Sequence, residues 1–228
     1  MLESWNNLPC YMETDEVKEY YDIIKKKKFD LFIKRLFDII FSLIMIIFVF
    51  PFWLIIYLII MLDSPGNPIF SQNRITRYGR VFKILKFRTM VENAEQKGAS
   101  VTTENDSRIT KCGKWLRKYR IDETLQLINI LKGELSFVGV RPESPKYVAR
   151  YSKEMVATLL LPAGVTSPAS ILFKNESEML KDCEDYDETY VNEILPKKMK
   201  YNLEYIKNFG FWSDIKIMFQ TVLAVIKK

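Results

Sequence analysis

The chain has 228 residues and a formal net charge of +6, from 34 Lys and Arg against 28 Asp and Glu. This length suffices for one domain with a buried core, and the basic character favours phosphorylated ligands, nucleic acid or an anionic membrane as partners. The sequence has no histidine, which excludes Ser-His and Cys-His nucleophile pairs and histidine-ligated metals. Its three cysteines lack CxxC spacing, which argues against structural zinc or a disulfide framework and fits a reducing cytoplasm.

Residues 1–33 form a polar N-terminal segment that contains four consecutive lysines at positions 25–28. Weak periodicity from Glu16 to Lys27 is compatible with a surface helix. The alternative is an arm that contacts a second subunit.

An uncharged apolar run, IIFSLIMIIFVFPFWLIIYLIIML, extends from Ile39 to Leu62. As a helix it would be about 36 Å long, which is enough to cross a bilayer. Pro51 lies near its middle and removes a backbone donor, so the run is either a kinked spanning helix or a hairpin that enters and leaves one leaflet. Basic residues flank both ends, which favours a cytoplasmic position for both and therefore the hairpin.

The remaining chain alternates predicted strands and helices. Strands are expected in PIFSQNRI (68–75), in RVFKILKFRTM (80–90) and at the start of SFVGVRPE (136–143). A helical turn followed by a mobile loop is expected over 91–109, a short basic helix over 111–120, and a helix over 122–133 that ends at Gly133. Helices are also expected over 143–160 and after Pro196, with a loop over 161–172 between them.

The C-terminal stretch places Ile215, Phe219, Val222 and Ile226 on one stripe. This spacing predicts an amphipathic helix that either packs on the core or lies on a membrane surface.

Asp122 and Glu123 stand together at the start of a predicted helix. Asp122 has two interpretations. It is a helix N-cap, or it is an aspartate that the helix dipole, Arg117 and Arg120 keep ionised, able to attack phosphorus.

Several basic residues recur where predicted strands and helices end: Lys86, Arg88, Arg117, Arg120 and Arg141. They are either a solvated face or a site for phosphate, for which a planar guanidinium is well suited. Glu143 is either a helix-start residue or part of a metal or acid-base site.

Five stretches, in order, resemble the bacterial sugar transferases known as small monotopic phosphoglycosyl transferases. They are KRLFDII before the apolar run, PIFSQNRI, FKILKFRTM, DSRITKCGKWLRKYRIDETLQLINILKGELSFVGVRPE, and DIKIMFQTV near the end. The resemblance covers the chain from about residue 34 onward.

The resemblance implies an α+β, mostly helical fold. Residues 34–62 would form a re-entrant helix-break-helix hairpin broken at Pro51, with both ends cytoplasmic. Residues 63–228 would form a small cytoplasmic catalytic domain with surface-lying amphipathic helices. The protein would then be monotopic, on the cytoplasmic face of a bacterial inner membrane.

The resemblance also implies a reaction. Such enzymes move a sugar 1-phosphate from a UDP-sugar to polyprenyl (undecaprenyl) phosphate with Mg²⁺, and release UMP, in the first membrane step of polysaccharide or glycoconjugate synthesis. Asp122 would be the nucleophile that forms a covalent phosphosugar intermediate, and Glu123 its partner, with both carboxylates as metal ligands. Lys86, Arg88, Arg117, Arg141 and Glu143 would bind substrate and its phosphates. No nucleic acid partner is expected, and a homo-oligomer is left open.

Two departures from the family pattern limit what is carried over. Many members have Ser-Pro at the helix break, where this chain has Phe50-Pro51, and an Arg-Pro-Gly stretch where this chain reads LPAGVTSPASILFKNE. The geometry of the break and the identity of the sugar are therefore not predicted. The competing hypothesis is a membrane-tethered protein that binds anionic lipid or a polysaccharide-export partner without catalysis.

Overall fold

The computed structural model describes residues 2–92, 94, 106–174, 176, 183 and 185–226. These residues are mostly helical and form two small two-stranded sheets, so the predicted α+β, mostly helical class is confirmed. The helices are α1 (Asp15–Lys25), α2 (Lys28–Asp63), α3 (Lys111–Lys118), α4 (Gln126–Lys132), α5 (Pro145–Val148), α6 (Pro168–Leu172), α7 (Tyr186–Thr189), α8 (Leu195–Lys207) and α9 (Phe211–Ile226). The strands are β1 (Ile69–Ile75), β2 (Val81–Phe87), β3 (Leu135–Val138) and β4 (Ala163–Thr166).

Helix α2 contains the apolar run and has 36 residues, which corresponds to a length of about 54 Å. Among the described residues it is the one helix that is long and apolar enough to cross a membrane. The helix continues through Pro51, so α2 is a single helix in the structure. The re-entrant hairpin and its break at Pro51 stay a prediction.

One side of α2 packs against the rest of the protein along the whole helix. The residues buried on this side follow helical spacing and lie in both halves of the helix: Lys34, Asp38, Ser42, Trp53, Ile56 and Ile60. The other side exposes large apolar side chains, among them Phe48 and Phe52, which are 72% and 60% exposed. An apolar surface of this size on a helix is typical of contact with lipid or a partner.

The N-terminal segment packs into the core. Helix α1 begins at the cap Thr14, whose hydroxyl accepts from the Val17 amide. Its buried residues belong to a core cluster that includes Ile75, Leu160 and Phe209, which are distant in sequence. The boundaries predicted for the three segments, 1–33, 34–62 and 63–228, stay a prediction.

The two sheets carry residues that the site uses. Strands β1 and β2 are antiparallel with Phe70 opposite Lys86, and β3 and β4 are parallel with Ser136 opposite Gly164. The buried side chain of Asn129 in α4 accepts from the Leu85 amide at 3.1 Å and donates to the Lys83 carbonyl at 2.9 Å. These two bonds fix the middle of β2 against α4.

Several predicted elements are confirmed: strands β1, β2 and β3, the basic helix α3, helix α8 after Pro196, and the end of α4 at Gly133, which has a positive φ of 81°. The predicted loop over 161–172 was wrong, because Ala163–Thr166 pairs with β3 and Pro168–Leu172 is helical. The long helix predicted over 143–160 is reduced to α5 and a 3₁₀ turn, Met155–Leu160. Most of the turn and loop predicted over 91–109 lies outside the described residues.

The terminal helix α9 is confirmed, but its buried residues include Asp214 and Ile217. Phe219 and Val222, from the predicted stripe, are 64% and 53% exposed. Of the two alternatives for this stripe, the exposure of Phe219 and Val222 favours a membrane surface.

Candidate active site

Asp122 and Glu123 lie in a 3₁₀ turn, Ile121–Leu125, between helices α3 and α4. Arg120 enters this turn in the left-handed conformation, with a φ of 53° that is uncommon for a residue other than glycine. Arg120 occupies the N-cap position and α4 begins only at Gln126, so the N-cap interpretation of Asp122 was wrong. The turn places both carboxylates at the junction of α3, β2 and α4.

Three cations surround Glu123. Its Oε1 accepts from Lys86 Nζ at 2.8 Å and from Arg141 Nη2 at 3.0 Å, and its Oε2 lies 3.6 Å from Arg120 Nη1. Burial alone would raise the pKa of Glu123, but the charges of Arg141 and Lys86 outweigh it and hold the pKa well below its usual range. Glu123 is therefore ionised, and its contacts hold Lys86, Arg141 and Arg120 close together.

Asp122 behaves in the opposite way. Its burial, followed by the negative charge of Glu123, raises the pKa of Asp122 above its ordinary value, while Lys86 and Arg117 oppose that rise. Arg117 thus acts on Asp122 in the predicted direction, but burial outweighs it and the net shift of the pKa is upward. Among the described residues Asp122 takes part in no ion pair, which leaves its carboxylate available to a ligand.

Arg117 and Arg88 have different hydrogen-bond partners. Arg117 donates from Nε to Thr89 Oγ1 at 2.8 Å, and its charge acts on Asp122. Arg88 instead donates from Nη2 to the carbonyl and the hydroxyl of Ser64, at 2.6 and 2.9 Å, just beyond the end of α2. The structure thus brings Lys86, Arg117 and Arg141 to the Asp122–Glu123 pair and directs Arg88 to the end of the apolar helix.

Glu143 is engaged in a different buried network. Its Oε1 accepts from Tyr190 Oη at 2.5 Å and from Lys198 Nζ at 3.3 Å, and Lys198 also pairs with Glu176 at 2.9 Å. Burial and the charge of Glu143 raise the pKa of Tyr190, which keeps its hydroxyl protonated as a donor. Because the backbone carbonyl of Glu143 also accepts from the Ile75 amide at 3.0 Å, this network fixes the turn that carries Arg141.

A cavity of about 380 Å³ lies between these two groups of residues. Lys86 and Arg141 line it on the side of Glu123, and the Glu143 network lines another part. Its other lining residues are mainly polar or aromatic, and include Gln72, Arg74, Gln126, Lys146, Tyr147, Tyr186 and Asp187. A polar cavity whose wall includes Lys86 and Arg141, the partners of Glu123, suits a hydroxyl-rich ligand that carries phosphate.

The carboxylates fit magnesium only together with a ligand. No group of three or more His, Cys, Asp or Glu side chains among the described residues could hold a metal ion. Magnesium in enzymes is commonly held by one or two carboxylates and by substrate phosphates, and retains several waters. Asp122 and Glu123 are two adjacent carboxylates, and a metal held by them would need its remaining ligands from elsewhere.

Sequence reasoning missed Lys198 and Tyr190. Lys198 lies 55 residues from Glu143 in the chain, on helix α8, and the π-helical turn Tyr190–Ile194 presents Tyr190. The one local signal was a lysine on the buried side of an amphipathic helix. That pattern does not identify a partner.

The chain is similar to known proteins over a range that includes all the residues of this site. A model of the family described as "Bacterial sugar transferase" matches residues 29–228. The chain is 35% identical over 198 residues to the UDP-N-acetylgalactosamine-undecaprenyl-phosphate N-acetylgalactosaminephosphotransferase of Aeromonas hydrophila, covering 86% of this chain and 44% of the relative.

Two further relatives have names that include other sugars. The UDP-glucose:undecaprenyl-phosphate glucose-1-phosphate transferase of Escherichia coli (strain K12) is 34% identical over 83% of this chain and 39% of its own length. The undecaprenyl-phosphate galactose phosphotransferase of Salmonella typhimurium is 31% identical over 89% of this chain and 42% of its own length. The chain spans about two fifths of the length of these curated relatives.

Proposed function

The chain belongs to the bacterial sugar transferase family, and from this premise we propose that it transfers a sugar 1-phosphate from a UDP-sugar to polyprenyl phosphate. The observation that carries the proposal is that Asp122 has no ion pair with any described residue and lies beside Glu123, which Lys86 and Arg141 of the cavity wall hold in place. The names of relatives that cover most of this chain support both the lipid acceptor and the sugar-phosphate donor.

In the first step, a carboxylate oxygen of Asp122 attacks the β-phosphorus of the UDP-sugar. The bond from that phosphorus to the bridging oxygen breaks, and UMP leaves with the electron pair. The sugar phosphate is then bound covalently to Asp122. Lys86, Arg117 and Arg141 stabilise the negative charge that builds up on the diphosphate, since donors fixed in place need no reorganisation during the reaction.

In the second step, a phosphate oxygen of the polyprenyl phosphate attacks the same phosphorus. The bond to Asp122 breaks, which restores the carboxylate and gives a polyprenyl diphosphate sugar. Two steps allow a soluble nucleotide and a membrane lipid to react in turn at one carboxylate. The burial of Asp122 limits the access of water, which would otherwise hydrolyse the intermediate.

Magnesium is part of the proposal. Asp122 and Glu123 Oε2 would hold it together with the diphosphate, and when bound it supplies positive charge that offsets repulsion between the diphosphate and the carboxylates.

We further propose that the protein is monotopic on the cytoplasmic face of the membrane. The supporting observation is that both halves of α2 contact one folded unit. Lys34 near its start donates to the Val138 carbonyl at 2.7 Å, and Trp53 in its second half donates to Thr124 at 3.0 Å. A helix that crossed the bilayer would carry its ends to opposite sides, so these contacts favour a helix that stays on one side of the membrane.

The reaction is tested with purified protein, Mg²⁺, polyprenyl phosphate and a series of UDP-sugars that includes the three sugars named in the relatives. UMP release is expected with at least one sugar, and Asp122→Asn should lower the rate by roughly 10³-fold or more because the nucleophile is lost. Asp22→Asn, in an exposed surface pair with Lys18, is the matched control and should keep full activity.

Without polyprenyl phosphate, the intact mass of the protein should rise by the mass of one sugar phosphate less one water, and the added group should map to Asp122. Normal turnover of Asp122→Asn would refute the assignment of the nucleophile. Lipid binding without UMP release from any UDP-sugar would instead support a non-catalytic membrane-tethered protein.

A further inference from the structure

Trp53 lies in the apolar part of α2, two residues after Pro51, but its side chain is buried against the catalytic residues' turn. Trp53 is 7% exposed, and its Nε1 donates to Thr124 Oγ1 at 3.0 Å. Thr124 directly follows Glu123, and its hydroxyl donates in turn to the Ile121 carbonyl at 2.7 Å. These two bonds connect the apolar helix to the turn that contains Asp122 and Glu123.

This turn depends on contacts from outside it. It starts from the left-handed Arg120, and such a backbone conformation persists in a residue other than glycine only when its surroundings hold it. Around Trp53, the buried Ile56 and Ile60 of α2 share a core cluster with Leu116 and Leu125, which lie on either side of the carboxylate pair. The second half of α2 therefore forms part of the packing that shapes the turn.

We propose that Trp53 is a positioning residue, which acts through Thr124 to hold Asp122 and Glu123 in the geometry that attack on the diphosphate requires. The inference rests on the proposed function. Its physical basis is that the Thr124 hydroxyl is partly buried, so water would not readily replace the lost indole donor, and a turn with one fewer constraint samples more conformations. Activity would then depend on the correct docking of the apolar helix.

The first test compares Trp53→Phe with the unchanged protein. Phenylalanine keeps an aromatic ring in the core and removes the donor. We expect kcat to fall by about ten-fold, since small displacements of catalytic groups have large effects on rate. KM for the UDP-sugar should stay unchanged, because Trp53 does not line the cavity.

Thr124 provides the other half of the test. Thr124→Val should lower kcat at least as much as Trp53→Phe, because it removes the acceptor for Trp53 and also the bond to the Ile121 carbonyl. The double variant should be no slower than Thr124→Val alone, because the Trp53 bond is already lost in that variant. Thr124→Ser keeps the hydroxyl and should restore most of the rate. Additive losses in the double variant would mean that the two residues act separately and would overturn the proposal.

A second measurement does not depend on turnover. Hydrogen exchange of the amides of residues 122–125 should be faster in Trp53→Phe than in the unchanged protein, whereas Phe52→Leu, at a neighbouring position that is 60% exposed, should leave it unaltered. Unchanged exchange in Trp53→Phe, or an unchanged kcat, would overturn the role of Trp53. If the unchanged protein transfers no sugar at all, the proposed function fails, and the exchange comparison alone decides whether Trp53 holds the turn.

Discussion

At the scale of single residues, Asp122 and Glu123 are adjacent in the chain but have pKa shifts in opposite directions. Contacts with Lys86 and Arg141 keep Glu123 ionised, whereas burial and the charge of Glu123 raise the pKa of Asp122. Such a division between neighbouring carboxylates is typical of sites where one group anchors charge and the other reacts.

The raised pKa of Asp122 predicts a pH dependence. Attack on phosphorus needs the ionised carboxylate, so kcat/KM should fall on acidification at a pH above the ordinary aspartate value of 3.8. Lys86→Met removes a charge that lowers the pKa of Asp122, and the acid limb of the pH–rate profile should therefore move to higher pH.

Lys83→Met is the matched control, because Lys83 is an exposed lysine on the same strand. It should leave the limb in place. An acid limb that stays fixed or moves to lower pH in Lys86→Met would contradict the assignment of this limb to Asp122.

At the scale of elements, a buried ion pair joins the start of α2 to α9. Lys34 Nζ lies 2.5 Å from Asp214 Oδ2, and both side chains are almost inaccessible. Asp214 Oδ1 also accepts from Tyr205 Oη of α8 at 2.8 Å, and Lys34 donates to the Val138 carbonyl in β3. This cluster thus holds α2, α8, α9 and β3 together. Its member in β3, Val138, lies three residues before Arg141 in the chain.

Breaking this pair should destabilise the fold strongly. Lys34→Met leaves Asp214 buried without its cation, for which we expect a loss of about 3–5 kcal/mol in the free energy of unfolding. The double variant Lys34→Met, Asp214→Leu should lose less than the two single losses added together, because neither Lys34 nor Asp214 is then left buried without the other.

Denaturant unfolding in detergent micelles measures these losses. The control is Arg150→Met, which breaks the exposed Arg150–Glu188 pair and should change stability by less than about 1 kcal/mol. A loss in Lys34→Met as small as that of the control would mean that the cluster does not hold α2 and α9 together.

At the scale of the whole molecule, two apolar surfaces have the character expected of membrane contact. One is the side of α2 that faces away from the domain, and the other includes the exposed Trp212, Phe219 and Val222 of α9. Their proximity follows from the Lys34–Asp214 pair, which holds the starts of both helices together. We expect both surfaces to contact lipid from one side of the membrane.

The topology has a direct test. Single cysteines are introduced as Lys25→Cys and Phe70→Cys, on either side of the apolar run, after Cys10, Cys112 and Cys183 are replaced by serine. A membrane-impermeant maleimide should label neither position in intact spheroplasts and both positions after lysis, because both ends of α2 are proposed to be cytoplasmic. Labelling of Phe70→Cys alone in intact spheroplasts would indicate a spanning helix and contradict the monotopic proposal.

Much of the fold could be predicted from the sequence, because many signals act over a few residues. The alternation in β2, the glycine that ends α4 and the uncharged run in α2 each have a local cause, such as side-chain periodicity or the conformational freedom of glycine. The Asp122–Glu123 pair and its basic neighbours were also identified from the sequence through the resemblance of ordered motifs. Strand β4 was missed, since its pairing depends on β3, which is distant in the chain.

Only the tertiary structure decided which polar groups contact each other. Glu143 pairs with Lys198, Arg88 donates to Ser64 at the end of α2, and Trp53 donates to Thr124, 71 residues away in the chain. The pKa of Asp122 follows the same rule, because burial depends on the packing of α3, β2 and α4 around the turn. Local sequence determines the conformation of each segment, but the partner and the desolvation of a buried polar group depend on distant segments that only the complete fold brings into contact.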